Sequence, residues 1–370
     1  MTETSPNLLK IRRFLPLFVT QFLGAMNDNL MKQALIVMIT FGLLQSSDIS
    51  PQILVTMAAG IFILPFFLFS ATAGQIADKF EKSASIRRIK IAEIFIMAIA
   101  VAGFYLSNTY FLIAVLFMMG TQSAFFGPLK YGILPSHLKE NELIGGNALI
   151  EGGTFLAILI GTITGGLLIV ADEGITIVSA ALLTIALLGW LASRTIPKAK
   201  AADPDLKINA NIFQETWRMV VRARETRSVF LSIMGISWFW LTGATFLSQF
   251  PNFSKILLGG DASVVTLLMV TFSLGIGIGS YWCTRLLKGE VSAKYVPLSA
   301  LALTGFTLDL YFASRGLHAP TSGLITATDF INSPANWRIL FDLTAIAVCG
   351  GLYTVPLYAI LQNDSDPTTR

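Results

Sequence analysis

Charged residues are scarce in this sequence, and cysteine is nearly absent. Asp, Glu, Lys and Arg make up 13% of the 370 residues, whereas a soluble globular protein carries roughly 25%. The two cysteines, Cys283 and Cys349, both lie inside apolar stretches. They suit neither a disulfide framework nor a metal site, so we expect them to be packing residues. The low charge argues against a soluble protein.

The sequence is rich in long apolar stretches. Hydrophobic residues make up 54% of the chain, and the mean hydropathy is +0.68. A helix needs about 20 apolar residues to cross the hydrocarbon of a bilayer. Stretches of that kind recur along the whole chain, which predicts an all-α polytopic membrane protein. We predict spans at residues 14–41, 52–77, 86–107, 109–128, 145–170, 174–192, 228–250, 262–287, 293–313 and 338–361.

The basic residues predict the orientation of these spans. With a cytoplasmic N-terminus, the cytoplasmic side carries Lys10, Arg12, Arg13, the cluster from Lys79 to Lys90, Lys130, Lys139, a basic linker, Arg285, Lys288 and Lys294. The opposite side carries only Lys255, Arg315 and Arg338. Because cytoplasmic loops are enriched in Lys and Arg, this bias favours the N-terminus inside.

The spans divide into two sets joined by the linker. We predict a six-helix bundle over residues 1–192, a basic cytoplasmic linker with an amphipathic segment over 193–227, and a second bundle over 228–370. Two such bundles are typical of transporters with pseudo-symmetric halves. The second set has four spans, so we expect the last two of twelve helices to be missing, and ten native helices are the alternative. Glycines spaced four apart, Gly161 with Gly165 and Gly275 with Gly279, predict close helix contacts.

Polar side chains interrupt the first span. On a helix, Gln21, Asp28 and Lys32 project from one face, and Asn27 and Asn29 flank the acid. An ionised side chain near the bilayer centre costs about 2.5 to 3.5 kcal/mol on insertion scales, so this face should meet a wet cavity or a protein partner. Two alternatives stay open from the residues alone. Asp28 and Lys32 either pair with each other or bind a ligand in a hydrated pocket between the two halves.

A motif after the second span resembles a known signature. "GQIADKFEK" resembles the major facilitator signature G-x-x-x-D-[RK], with Gly74, Asp78 and Lys79 at the matching positions. A glycine there permits tight helix contact, and the carboxylate can act as a latch in a conformational cycle. Glu81 and Lys82 replace later basic positions of the signature. In the second half, Cys283 stands at the aspartate position.

Longer strings sharpen the resemblance. "QFLGAMNDNLMKQAL", "FFGPLKYGILP", "GGNALIEGGTFLAILIGTITGG", "TRSVFLSIMGISWFW" and "VPLYAILQ" resemble the bacterial lysophospholipid transporter family of the major facilitator superfamily. The first string resembles members that are fused to an acyltransferase and an acyl-carrier-protein synthetase. The resemblance implies inward movement of lysophosphatidylethanolamine or lysophosphatidylglycerol across the inner membrane by alternating access, for reacylation by such an acyltransferase, fused or associated.

The resemblance also suggests roles for individual residues. Asp28 would bind the headgroup ammonium and Lys32 its phosphate, with Gln21, Asn27 and Asn29 nearby. On the fifth span, Asn147, Glu151 and Thr154 share a face, and Glu151 is a candidate for the headgroup or a coupling ion, with capping or helix packing as the alternative. Trp238 and Trp240 line an acyl-chain path or simply pack. Lys130 joins the latch or extends to the interface. Glu93, Asp309 and Asp342 are expected to be partly buried and receive no role.

Enzyme chemistry finds little support in the sequence. His137 and His318 are expected in loops on opposite sides of the membrane, which gives no metal-ligand spacing. No phosphate-binding glycine loop with Lys-Ser/Thr occurs, so we expect no cofactor, no ATP-driven step and no nucleic-acid partner. The coupling ion stays undetermined. A proton-coupled drug or metabolite exporter of the same fold is the nearest alternative, and a non-transporting membrane anchor for an acyltransferase is another.

Overall fold

The computed structural model describes residues 8–40, 43–44, 49–209, 211–315 and 324–365. Those residues form helices and connecting segments, and their only β pairing is a bridge between Gly260 and Ile325. Short 3-10 helices cover Leu8–Lys10 and Pro334–Asn336, and a π-helical segment, Phe253–Leu258, follows α9. The α-helices are α1 (Leu15–Thr40), α2 (Pro51–Lys79), α3 (Lys82–Tyr105), α4 (Thr109–Gly132), α5 (Leu134–His137), α6 (Glu140–Ile169), α7 (Gly174–Ser193), α8 (Ile212–Glu225), α9 (Arg227–Asn252), α10 (Ala262–Leu287), α11 (Val296–Ser314), α12 (Ala327–Asn332) and α13 (Trp337–Asp364).

Each predicted span contains one long helix, which confirms the all-α membrane fold. Within the described residues, eight of these helices are long and apolar enough to cross a bilayer. The other two, α1 and α3, are equally long but carry charged residues near their middles.

Helix α3 begins four residues earlier than predicted. The Glu81 carboxylate accepts hydrogen bonds from the backbone N–H groups of Ser83 and Ala84 and thereby caps the helix. The cap therefore adds Lys82 to the helix, ahead of the predicted start at residue 86. Lys90 lies within the predicted span, and both lysines are buried although they were counted with the basic cluster from Lys79 to Lys90.

The first compact unit contains residues up to Lys139 and Ile160–Thr226. Its apolar core gathers side chains from α1, α2, α3, α4 and α7, with Met31, Leu35, Met97 and Leu116 fully buried. The last part of α6 packs closely on α1, because a β-carbon at Gly161 or Gly165 would overlap carbonyl groups of α1. This confirms the predicted role of that glycine pair.

The second compact unit contains Glu140–Leu159 and Arg227–Asp364. Phenylalanines fill its core, among them Phe155, Phe239 and Phe272. Gly275 and Gly279 of α10 face α13 so closely that a β-carbon at either would overlap its atoms, which confirms the second predicted glycine contact. The domain boundaries predicted at residues 192 and 227 remain predictions.

The linker is not a freely solvated loop. Ala199 donates a 2.9 Å backbone hydrogen bond to Glu81, and Asp203 donates one of 3.0 Å to the carbonyl of Asp78. Gln75 exchanges hydrogen bonds of 2.6 and 3.2 Å with the backbone of Asn209. These bonds fasten the linker to the end of α2 and the start of α3. Helix α8 covers the segment predicted to be amphipathic.

Candidate functional site

The polar residues of α1 lie near the middle of the helix, and their side chains are buried or half-buried in the protein. Gln21, Asn27, Asp28 and Asn29 are all buried, and Lys32 is half-buried. Asn29 turns back to its own helix, donating to the carbonyl of Ala25 at 2.8 Å. Asn27 contacts Glu93 of α3, Asp28 contacts Ser123 of α4, and Lys32 lies over Phe62 of α2. The sequence pattern therefore places these polar groups against neighbouring helices of the first unit.

Asp28 has one occupied and one unoccupied carboxylate oxygen. Its Oδ2 accepts a 2.5 Å hydrogen bond from the hydroxyl of Ser123 on α4. Its Oδ1 is buried and has no hydrogen-bond partner. An unmade hydrogen bond of a buried carboxylate costs free energy, so this oxygen is available for a cationic or N–H-bearing group.

Lys32 is held by an aromatic ring. Its Nζ atom lies 5.2 Å from the ring centroid of Phe62 on α2, a cation–π distance. Among the described residues, the ion pairs within 4.0 Å do not include one between Asp28 and Lys32. The two side chains share one helix face without forming an ion pair.

Beside Asp28 lies a buried ion pair that the sequence analysis missed. Lys90 Nζ lies 2.6 Å from Glu93 Oε2, and both side chains are almost completely buried. Glu93 also accepts hydrogen bonds from Asn27 (3.3 Å) and Gln122 (3.2 Å). The expectation that Glu93 is only partly buried is wrong. The signal was present as an acid and a base three residues apart within an apolar helix.

The ion pair fills space that a glycine leaves on α1. A β-carbon at Gly24 would overlap the Nζ atom of Lys90, which also lies 4.8 Å from the ring centroid of Phe126. Together, Asp28, Lys32, Lys90 and Glu93 place two acids and two bases in one region of the first unit. Their formal charges cancel.

The other predicted binding residues lie in the second unit. Asn147 on α6 exchanges hydrogen bonds of 2.8 and 3.0 Å with Gln362 on α13, and Glu151 one turn later is fully buried. Trp240 stacks on Phe155 with centroids 5.9 Å apart and donates a 2.8 Å hydrogen bond to Tyr358. Trp238 is largely exposed and borders an apolar cavity of about 80 Å³ between α9, α10, α11 and α13. Asp342 is fully buried, so the expectation that it is only partly buried is wrong. Asp309 is partly buried, as expected, and pairs with Arg338.

The signature residues surround the start of the linker. Gly74 faces α8, where a β-carbon would lie 3.1 Å from the methyl group of Met219. Asp78 is half-buried, and its carbonyl receives the linker hydrogen bond described above. Lys79 lies over Phe80 at 6.0 Å. At the end of α4, Lys130 lies over Tyr131 at 4.6 Å. The signature glycine thus has α8 as its close neighbour.

Metal ligation finds no support in the part of the chain that the structure describes, since its His, Cys, Asp and Glu side chains form no group of three that could hold an ion. His137 is buried in α5 and its carbonyl accepts a hydrogen bond from Arg13. The expectation that His137 lies in a loop is wrong, because a short helix follows α4. His318 lies outside the described residues.

Sequence and structure comparisons place this architecture in a known family. The chain is 29% identical over 351 residues to the lysophospholipid transporter LplT of Escherichia fergusonii, covering 93% of this chain and 78% of that protein. It is 28% identical over 349 residues, with the same coverage, to LplT of Escherichia coli O157:H7.

Solved structures agree on the fold. The fucose:proton symporter FucP of E. coli matches with a TM-score of 0.65 at 15% identity, over 96% of this chain and 85% of FucP. A bacterial homologue of the iron transporter ferroportin matches with 0.63 at 13%, over 95% of this chain and 86% of that one. The family model described as Major Facilitator Superfamily matches residues 17–369. The chain is therefore a membrane transporter protein of the Major Facilitator Superfamily.

Proposed function

We propose that this protein moves lysophospholipids across the bacterial inner membrane to the cytoplasmic leaflet by alternating access. The observation that carries the proposal is the arrangement on α1. Asp28 has a buried, unpartnered oxygen, and Lys32 lies on the same helix face without an ion pair to it. The LplT relatives support the same substrate class.

The headgroup chemistry assigns each charge a partner. A phosphate is an anion that suits the Lys32 ammonium, and an ethanolamine ammonium suits the Asp28 carboxylate. Lysophosphatidylethanolamine carries both groups, whereas lysophosphatidylglycerol carries the phosphate and two hydroxyls. We therefore expect Lys32 to serve both lipids and Asp28 to matter more for the ethanolamine lipid.

The residues that we propose to contact the acyl chain lie in the second unit. Trp238 borders an apolar cavity within that unit, and apolar surface suits an acyl tail. Trp240 contributes through packing on Phe155. Asn147 and Glu151 are proposed as polar groups of the path. Gly74, Asp78, Lys79 and Lys130 are proposed to latch one state of the transport cycle. An acyltransferase in the cytoplasmic leaflet, fused or associated, would consume the transported lipid.

The test measures uptake of radiolabelled lysophospholipids into spheroplasts, as label that external albumin no longer extracts. Asp28→Asn is expected to lower uptake of the ethanolamine lipid about ten-fold or more while affecting the glycerol lipid less. Lys32→Gln is expected to lower uptake of both lipids. Lys294→Gln, a basic residue at the start of α11, is the matched control and should transport normally.

The alternatives predict different results. A proton-coupled exporter would move soluble compounds and respond directly to external pH, with little lysophospholipid uptake. A membrane anchor for an acyltransferase would support lipid repair even in the Asp28→Asn/Lys32→Gln double variant. Equal loss of both lipids in Asp28→Asn would remove the ammonium assignment.

A further inference from the structure

Helix α8 keeps a row of large apolar side chains uncovered. Phe213, Trp217 and Val221 follow one another at four-residue intervals, with 84%, 65% and 44% of their surfaces exposed. At that spacing they form one stripe along the helix. Apolar surface of this kind on a soluble segment marks an interaction site.

The opposite side of α8 is already occupied. Glu215 is buried, and Met219 packs against Gly74 of α2. The segment before the helix is tied to Gln75 through the backbone of Asn209, and Asn211 caps the helix by accepting a hydrogen bond from Gln214. These contacts fix which face of α8 points away from the first unit. The apolar stripe therefore cannot pack into the core of that unit without breaking them.

Helix α8 contacts the long apolar helix α2 close to the end of α2. Gly74 lies five residues before the end of α2 at Lys79, which corresponds to roughly 7 Å along a helix axis. An amphipathic helix at a membrane surface buries its apolar face about 5–10 Å into the boundary of headgroups and acyl chains. The contact with Gly74 therefore places α8 near the end of a helix long and apolar enough to span a bilayer, which matches the depth expected of a membrane-surface helix.

The charge of this segment selects the lipid. Residues 207–227 contain five basic and two acidic residues. Arg218 and Arg222 are exposed and lie one turn apart, on the flank of α8 between the apolar stripe and the face that holds Glu215. Arg218 is also 3.6 Å from the buried carboxylate of Glu215, but about half of the Arg218 side chain remains exposed, so part of its guanidinium stays accessible. Basic side chains beside an apolar stripe attract the phosphates of anionic lipids.

We propose that α8 is a membrane-surface helix that inserts Phe213, Trp217 and Val221 among the acyl chains and binds anionic lipid headgroups through Arg218 and Arg222. Because Met219 and Asn209 connect α8 and its approach to α2, the bound lipid also steadies the signature end of that helix. This site is separate from the residues of α1 to which the transported headgroup is assigned. The test does not depend on transport.

The experiment reconstitutes the whole protein in nanodiscs of phosphatidylcholine, with or without phosphatidylglycerol, using lipids with brominated acyl chains as quenchers. The contribution of Trp217 is obtained by subtracting the emission of the Trp217→Phe variant. Trp282→Phe gives the positive control, because Trp282 is exposed on the spanning helix α10. We expect bromolipid to quench Trp217, acrylamide to reach it poorly, and both effects to strengthen with phosphatidylglycerol.

The charge variants test the lipid preference. One basic side chain near an anionic surface contributes about 1 kcal/mol, or roughly a five-fold change in the ratio of docked to undocked helix. Arg218→Gln/Arg222→Gln should therefore lose the effect of phosphatidylglycerol, and Lys294→Gln should keep it. Quenching by acrylamide alone would show a solvated helix and overturn the proposal. Protection from both quenchers would show that protein, either this chain or a second copy of it, covers the stripe, and would overturn the proposal. Equal lipid quenching in both disc types would overturn the anionic preference.

Discussion

The hydroxyl of Ser123 donates a hydrogen bond of 2.5 Å to Oδ2 of Asp28 and thereby joins α4 to α1. It holds one carboxylate oxygen in place and leaves the other, Oδ1, without a partner. A hydrogen bond to a charged group contributes about 1.5–3 kcal/mol. We therefore expect Ser123 to orient the Asp28 carboxylate, which is proposed to bind the headgroup, rather than to contact the lipid itself.

Ser123→Ala should raise the KM for lysophosphatidylethanolamine uptake about ten-fold, because Asp28 loses the group that orients it. The maximal rate should change less, since Asp28 itself remains. Ser123→Thr keeps the hydroxyl and should recover much of the affinity. An unchanged KM in Ser123→Ala, measured in spheroplasts, would mean that Asp28 needs no orientation or does not bind the headgroup.

Removing one member of the buried Lys90–Glu93 pair should destabilise the protein more than removing both charges. Lys90→Met leaves the Glu93 carboxylate buried and uncompensated, an effect of about 3–5 kcal/mol. Lys90→Met/Glu93→Gln keeps the hydrogen-bonding partners of Asn27 and Gln122 without a net charge. The thermal midpoint in detergent should fall clearly in the single variant and recover in the double one. Equal midpoints would show that the pair is not buried as a charge pair.

The contact between α6 and α1 predicts a contrast between two glycines. Gly165→Ala places a methyl group against the carbonyl of Leu30 and should cost about 1–3 kcal/mol through overpacking. Gly127→Ala is the matched control, because nothing lies within 4 Å of its added β-carbon. Thermal unfolding in detergent compares the two. A Gly127→Ala loss as large as that of Gly165→Ala would contradict the helix contact.

The linker attachment predicts a pH dependence outside the membrane. Partial burial acts to raise the pKa of Glu81, but hydrogen bonds from Ser83, Ala199 and Ala84 outweigh it and lower the pKa below the ordinary 4.5. A lowered folded-state pKa stabilises the protein fully above pH 4.5, and this stabilisation is lost as the pH falls through the lowered value. Glu81→Ala should cost about 1 kcal/mol at neutral pH, as loss of a helix cap does.

Glu81→Ala should also flatten the decline in stability on acidification, because the titrating group is gone. The thermal midpoint of both proteins, followed from neutral pH to below pH 4.5, provides the measurement. A variant that declines as steeply as the parent would assign the acid sensitivity to other carboxylates. Exposure of the linker can be followed in parallel by limited proteolysis near Ala199.

The sequence supplied the helices and the first helix's polar face, because both depend on local spacing. Runs of apolar residues fix the spans, and the positions of Asp28 and Lys32 fix their common side. The residues on other helices that contact the polar face of α1 could not be predicted from local spacing. Ser123, Gln122 and Phe62 meet α1 only through packing between segments far apart in the chain.

Lys90 shows why charge counting misassigned a residue. It follows Arg87 and Arg88 and was counted with the basic cluster that begins at Lys79, yet its side chain is buried and Glu93 compensates its charge. A rule based on loop composition cannot recognise a cation that is neutralised within the helix. Glu93 was underestimated for the same reason, since its partners lie three residues away and on two other helices.

The contact of Lys32 with Phe62 determines which part of the site is able to adjust. A β-carbon at Gly120 would overlap the carbonyl of Phe62, so α2 is braced against α4 at the residue that carries the ring. The backbone there has little freedom, whereas the lysine side chain rotates about four methylene groups. We therefore expect the site to accommodate headgroups of different size through rotation of the Lys32 side chain, while the ring of Phe62 keeps its position.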